Sequence, residues 1–253
     1  MKEAKSVFVT GACKNTGRKI AEVFASFGYD LYLTSRSREE AEQTASEISE
    51  KFGVSAKGFA LGAGDEGAVK AVFCEIEKGK SPLRTAVFNA ANLGIGQDTL
   101  ETGMAEFMQV FEVNVFWNYM MAREAAKLMK EQGGGALVFI NSNTAYRAIP
   151  NRAAYCSSKS AVLGLSRALA IDLGKYRIRS NCVLPGMIKT DRWYNDVGGQ
   201  QESLTAHTPI GDVADFEDIA NAAFYLGTPL SKNVTGAEII VDGGNTVQLT
   251  PQI

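Results

Sequence analysis

Short apolar runs alternate with longer stretches of helical period along the whole chain. Seven runs, rich in β-branched and aromatic residues, predict strands at 6–10, 30–34, 55–61, 85–89, 136–141, 178–184 and 238–242. Between and beside them, apolar positions recur three and four apart, which predicts helices near 17–28, 38–52, 65–78, 103–131, 153–174 and 215–227. The strand runs are apolar throughout rather than alternating, as expected when helices cover both faces of a sheet. Strand–helix alternation of this kind predicts an α/β chain with a doubly wound, seven-stranded parallel sheet and helices on both faces. No repeat, low-complexity tract or Pro/Gly/Ser-rich linker divides residues 1–253, so one domain is expected. The segment 189–215 breaks the pattern: it has no clear period and carries Trp193, Tyr194, Gly198-Gly199 and Pro209. A long irregular stretch after a strand predicts a substrate loop or lid.

Composition narrows the function. A net charge of −2 gives no basic field for nucleic acid and no polybasic membrane patch. No apolar run reaches bilayer length and no secretory signal opens the chain, so a cytoplasmic protein is expected. The four cysteines lack CxxC spacing, in keeping with free thiols in a reducing compartment. With one histidine, His207, a multi-histidine zinc site is impossible and a Ser–His–Asp triad would rest on that residue alone. No metal site is expected.

In doubly wound sheets, ligands bind beyond the carboxyl ends of the strands. The first strand runs into Thr10-Gly-Ala-Cys-Lys-Asn-Thr-Gly17. Gly11 before the turn and Gly17 at the helix entry suit a pyrophosphate held on backbone N–H groups at the positive end of a helix dipole. Asn15 stands where a third glycine is usual, and Asn is the best substitute for Gly in a left-handed conformation. A plain strand–helix turn remains the alternative. The second strand ends in Ser35-Arg36-Ser37-Arg38, with no carboxylate before Glu39. NAD is usually held there by an acid, whereas a 2′-phosphate needs cations. Arg36 and Lys14 therefore favour NADP(H), although Arg36 and Arg38 could equally be solvated helix-entry charges. Farther on, Tyr155 and Lys159 lie four apart and so share one helix face. A neighbouring ammonium favours the phenolate and lowers the pKa of a phenol, which makes the pair a candidate acid/base device. Ser142, just past the fifth strand, would face the same crevice and could polarise a carbonyl oxygen.

Taken together and in order, these elements resemble the short-chain dehydrogenase/reductase family over nearly the whole chain. The matches are TGACKNTG for TGxxxGxG, Asn89-Ala90-Ala91 for the NNAG element, Asn114 in FEVNVFW, Ser142, Tyr155 and Lys159 for YxxxK, Pro185-Gly186 through Thr190 for PGxxxT, and the tail TGAEIIVDGG. The resemblance implies a Rossmann fold and a tetrad of Asn114, Ser142, Tyr155 and Lys159. Tyr155 would act as general acid and base, and Lys159 would bind the nicotinamide ribose and lower the Tyr155 pKa. Asn114 would kink its helix and hold a water linking Lys159 to solvent. The cofactor would touch Gly11, Cys13, Lys14, Asn15, Thr16, Gly17, Ser35, Arg36, Ala63, Asn89, Ala90, Ala91, Tyr155, Lys159, Pro185, Gly186, Ile188 and Thr190. The pattern departs from the family at Asn15, at Phe88 and Ala91 of the NNAG element, and at Gly62, where an aspartate usually contacts adenine.

The expected substrate-binding residues are Ser142, Thr144, Tyr155, Met187 and Trp193, with Asn92, Leu93, Asn143, Tyr146, Ile149 and Tyr194 around them. This mixture suits a small polyol, sugar acid or cyclic ketone. The chain also resembles the 3-oxoacyl-(acyl-carrier-protein) reductases, but Ile171 takes the place of the arginine those enzymes use to hold the carrier. An NAD-linked polyol or sugar dehydrogenase is a further alternative. A non-enzymatic dinucleotide sensor fits less well, because such proteins usually lose the Tyr or Lys. The resemblance also implies a homotetramer built on the helices near 103–131 and 153–174 and on the last strand.

Overall fold

The computed structural model describes residues 4–96, 98–195 and 201–249. Seven strands form one parallel sheet: β1 (Ser6–Thr10), β2 (Asp30–Ser35), β3 (Ala56–Ala60), β4 (Leu83–Phe88), β5 (Gly135–Ile140), β6 (Ile178–Pro185) and β7 (Glu238–Val241). Their order is β3-β2-β1-β4-β5-β6-β7, with every neighbouring pair parallel. The order reverses between β1 and β4, which opens a crevice at their carboxyl ends.

Helices cover both faces. On one lie α1 (Asn15–Ser26), α2 (Arg38–Phe52) and α9 (Phe216–Gly227); on the other, α3 (Glu66–Glu77), α5 (Trp117–Glu131) and α6 (Ala153–Gly174). The helices form where one apolar stripe and good end signals coincide. In α1 the buried residues Thr16, Gly17, Ile20, Ala21, Phe24 and Ala25 repeat at three and four. In α2 the Ser37 hydroxyl accepts the Glu40 N–H at the start, Lys51 lies in the last turn, and Gly53 closes the helix at φ 68°.

Two expectations are refined. The helix expected over 103–131 is α4 (Met104–Phe111), one π-helical turn (Glu112–Phe116) and then α5. The irregular segment 189–215 contains two short helices, α7 (Asp191–Asn195) and α8 (Gln201–Ala206), and Ile188 pairs with Ala214 across its base. Gly198-Gly199 lie outside the described residues. Among the described residues no helix is long and apolar enough to cross a membrane. All four cysteines are free thiols.

Candidate active site

The carboxyl ends of β1 and β4 are tied together by two residues. Thr10 Oγ1 accepts the N–H groups of Asn89 and Ala90 at 2.9 and 3.0 Å. Asn89 Nδ2 donates back to the carbonyls of Thr10 and Gly11 at 3.2 and 3.1 Å. Phe88, the departure from the family pattern just before, is buried against Phe139 with ring centroids 4.8 Å apart. It serves the core.

The loop from Gly11 to Gly17 closes on this junction. A Cβ at Gly17 would lie 2.1 Å from the Gly11 oxygen and 2.6 Å from Asn89 Nδ2, so only glycine fits. Asn15 has φ 50°, the left-handed conformation expected of it. The helix start is open to an anion: Lys14 at the N-cap makes no side-chain capping bond, and the first turn of α1 holds no acid. Such an uncapped, tightly closed helix entry fits a pyrophosphate. Of the other expected loop contacts, Cys13 is half-buried and Thr16 buried.

Around the second strand end, Lys14 and Arg36 are exposed, and no ion pair engages either among the described residues. Arg38, by contrast, is paired with Glu42 at 2.7 Å. The structure adds a carboxylate that a reading along the chain passes over: Glu40 reaches back and accepts the Ser35 hydroxyl at 2.9 Å. Across the crevice, Gly62 faces open space, exposed Ala63 follows it, and Asp65 caps α3 by accepting the Ala68 N–H at 2.8 Å.

The candidate proton-handling residues sit deeper. Lys159, 4% exposed, donates from Nζ to the Ile140 carbonyl at 3.0 Å and lies 5.6 Å from the centroid of the Tyr155 ring. Burial pulls its pKa down to about 8. Ser142 Oγ accepts from the N–H and hydroxyl of Thr144 at 3.2 and 2.9 Å, which leaves its own proton for another acceptor. Asn114 lies in the π turn, fully buried. Its Nδ2 bonds to the Asn92 carbonyl and to Ser158 Oγ, its Oδ1 accepts the Asn92 N–H, and Ser158 in turn donates to the Tyr155 carbonyl at 2.7 Å. Asn118 Nδ2 donates to the Asn114 carbonyl at 2.9 Å.

Two members of this network are not apparent from the sequence. Asn141 accepts the Ser142 N–H and donates to the Lys159 carbonyl, joining the end of β5 to α6. Ser158 joins α6 to the π turn. The available signal was a polar residue beside each catalytic candidate, in positions that turn out to be buried.

The segment after β6 is held by Gly186 N–H to the Val241 carbonyl and Lys189 N–H to the Ala214 carbonyl. Pro185 ends β6, and Met187, Ile188 and Thr190 are half-buried beyond it. Thr190 Oγ1 accepts the N–H of Trp193, whose side chain is buried. Two residues expected around the substrate make their hydrogen bonds elsewhere. Asn143 Nδ2 donates to Asp242 and Asn245, both at 3.3 Å, and the Tyr146 hydroxyl donates to Glu238 on the edge strand.

Comparison with known proteins identifies relatives of the chain. Residues 11–246 match the family model described as enoyl-(acyl carrier protein) reductase. The 7alpha-hydroxysteroid dehydrogenase of Escherichia coli K12 is 31% identical over 252 residues, 98% of this chain and 96% of that protein. The 3-oxoacyl-(acyl-carrier-protein) reductase FabG of Aquifex aeolicus is 29% identical over 96% of this chain and 97% of its own length. A solved 7alpha-hydroxysteroid dehydrogenase, complexed with NADH and 7-oxo glycochenodeoxycholic acid, superposes with a TM-score of 0.90 at 30% identity, covering 98% of this chain and 96% of that one.

Proposed function

The chain belongs to the short-chain dehydrogenase/reductase family, and from that premise we propose that it exchanges a hydride between NADP(H) and a carbonyl or secondary alcohol, with Tyr155 as general acid and base. That it is an oxidoreductase of hydroxyl or carbonyl groups with a nicotinamide dinucleotide follows from the family. The finer reading rests on one observation: a buried ammonium, Lys159 Nζ, fixed by the Ile140 carbonyl beside the ring of Tyr155.

The bound dinucleotide supplies or accepts the hydride. The chain's own residues handle the proton and the charge. At neutral pH a lysine with a pKa near 8 is mostly protonated. Its charge stabilises the Tyr155 phenolate, so the phenol gives its proton to a substrate oxygen in reduction and recovers it in oxidation. Ser142, its oxygen already occupied by two Thr144 donors, turns its own O–H to the substrate oxygen. Asn114 and Ser158 hold the backbone at Tyr155, and Asn141 holds the backbone at Lys159. Met187, Thr144 and Trp193 complete the substrate side, with 189–215 as the loop over it. Replacement of Tyr155 by Phe is expected to leave cofactor binding intact and to lower kcat/KM by about 10²–10⁴. Unchanged turnover of every active substrate would overturn the role and favour a dinucleotide-binding protein without catalysis.

Lys14 and Arg36, exposed and without an ion pair among the described residues, support NADP(H). A second reading has its own observation. Glu40 stands bonded to Ser35 at the end of β2, where a carboxylate can hold the ribose of NAD. On that reading the protein is an NAD-linked polyol or sugar dehydrogenase. A carrier-protein substrate is less well supported: Ile171 is 82% exposed where a cation would be needed, and Arg167 is paired with Glu238 at 2.5 Å. The exposed Met104, Met108, Phe116 and Tyr119 on α4, the π turn and α5, with Ile240 on β7, fit a homotetramer.

A further inference from the structure

The turn after β7 touches two separate parts of the candidate active site. Asp242, buried just past the end of β7, folds it. Its carboxylate accepts the N–H groups of Gly244 and Thr246 at 2.9 and 2.7 Å, together with the Thr246 hydroxyl. So shaped, the turn meets the far end of the 189–215 loop. The Ile210 N–H donates to the Gly243 carbonyl at 3.2 Å. Gly243 has φ 62°, and a Cβ there would lie 2.3 Å from Thr208 Cγ2, so a larger residue would part the two segments.

On its other side the turn meets the loop that carries Ser142. Asn143 Nδ2 donates to Asp242 and to Asn245 Oδ1, both at 3.3 Å. Asn143 opens a 3₁₀ turn (Asn143–Ala145), and Thr144 in that turn donates its N–H and hydroxyl to Ser142 Oγ. Asn245 spends the other end of its amide on the 189–215 loop: Nδ2 donates to the His207 carbonyl at 2.9 Å. One amide therefore joins His207, just past α8, to Asn143, the neighbour of Ser142. Turning this amide over would set NH₂ against NH₂ and oxygen against oxygen, so the two bonds fix its orientation. The Asn245 backbone is held as well, its carbonyl accepting Arg147 Nη1 at 2.8 Å.

We infer that Asn245 is a positioning residue, linking the seating of the 189–215 loop to the aim of the Ser142 hydroxyl. This rests on the roles proposed for Ser142 and for that loop. Coupling of two parts of a site needs a continuous physical connection, and the path His207–Asn245–Asn143–Thr144–Ser142 is one of hydrogen bonds and adjacent residues.

Hydrogen exchange of the full chain loaded with its preferred nicotinamide dinucleotide, read by mass spectrometry, tests the link. Asn245→Ala removes the amide and leaves the Asp242 bonds that fold the turn. It should speed exchange about three- to tenfold in both 142–147 and 207–212, with the strands at wild-type rates. Val247→Ala, an exposed change in the same turn, should alter neither segment. Wild-type exchange in either segment of Asn245→Ala overturns the inference. So does faster exchange spread over the sheet, which marks a plain loss of stability. Reduction of cyclohexanone, well below the unfolding temperature, gives the second readout. Asn245→Ala should lower kcat about tenfold through a misplaced Ser142, with the KM for the dinucleotide unchanged. An unchanged kcat overturns the inference. A wild type that does not reduce cyclohexanone counts against the proposed activity, and the exchange pattern still decides the link.

Discussion

Lys159 carries a positive charge in a place that water hardly reaches, and that sets a pH dependence. Its pKa of about 8 in the folded protein lies below the ~10.4 of an unfolded lysine. Above about 8 the ammonium is lost, and with it the stabilisation of the Tyr155 phenolate. The kcat/KM for carbonyl reduction should therefore fall as pH rises through about 8; a flat profile from pH 7 to 9 would count against the assigned role. Stability moves the other way. Between about 8 and ~10.4 the unfolded chain binds more protons than the folded one, so this residue's contribution to stability rises with pH in that window. Denaturation of the wild type and Lys159→Met at pH 7.5 and 9.5 checks this, with the wild type gaining relative to the variant at the higher pH. Tyr155 and Lys159 were legible in the sequence because a spacing of four puts both on one helix face. Asn141 and Ser158 were not, because their partners are brought to them by packing between distant elements.

At the scale of elements, the first loop makes the sharpest claim. Gly17→Ala drives a Cβ into the Gly11 carbonyl and Asn89. It should cost about 1–3 kcal/mol of stability and weaken cofactor binding, since the loop must open to admit it. Asn15→Gly should be nearly neutral, whereas Asn15→Val, at φ 50°, should cost about 1–2 kcal/mol. Urea denaturation of the three variants measures the order; an Asn15→Val variant as stable as Asn15→Gly would contradict the left-handed assignment. The need for a left-handed residue was readable from the loop's residue types. The irregularity at Asn114 was not readable from the apolar period, which continues through 103–131; only the family resemblance implied that Asn114 kinks its helix, and the kink is a π turn. Glu40 shows the same limit: along the chain it lies five residues after Ser35, and the turn into α2 brings the two into contact.

For the molecule as a whole, the alternation of apolar runs was enough to foresee the sheet and its two covered faces, because the five inner strands bury both sides, while the edge strands β3 and β7 are only partly covered. It could not separate helix residues that face their own sheet from those left for a partner. Leu163 turns out buried in the core, while Phe116 is exposed. On the proposed tetramer, Phe116→Glu should yield a smaller species by size exclusion with light scattering, without loss of fold; an unchanged mass would remove this face from the interface.

The measurement that bears most directly on the account is a titration of the purified protein with NADPH and with NADH, followed by nicotinamide fluorescence. A 2′-phosphate held by Lys14 and Arg36 should give NADPH an advantage of at least ~1.5–3 kcal/mol, more than tenfold in affinity. Equal or tighter binding of NADH would contradict that assignment and make Glu40, not Arg36, the residue that reads the adenosine ribose.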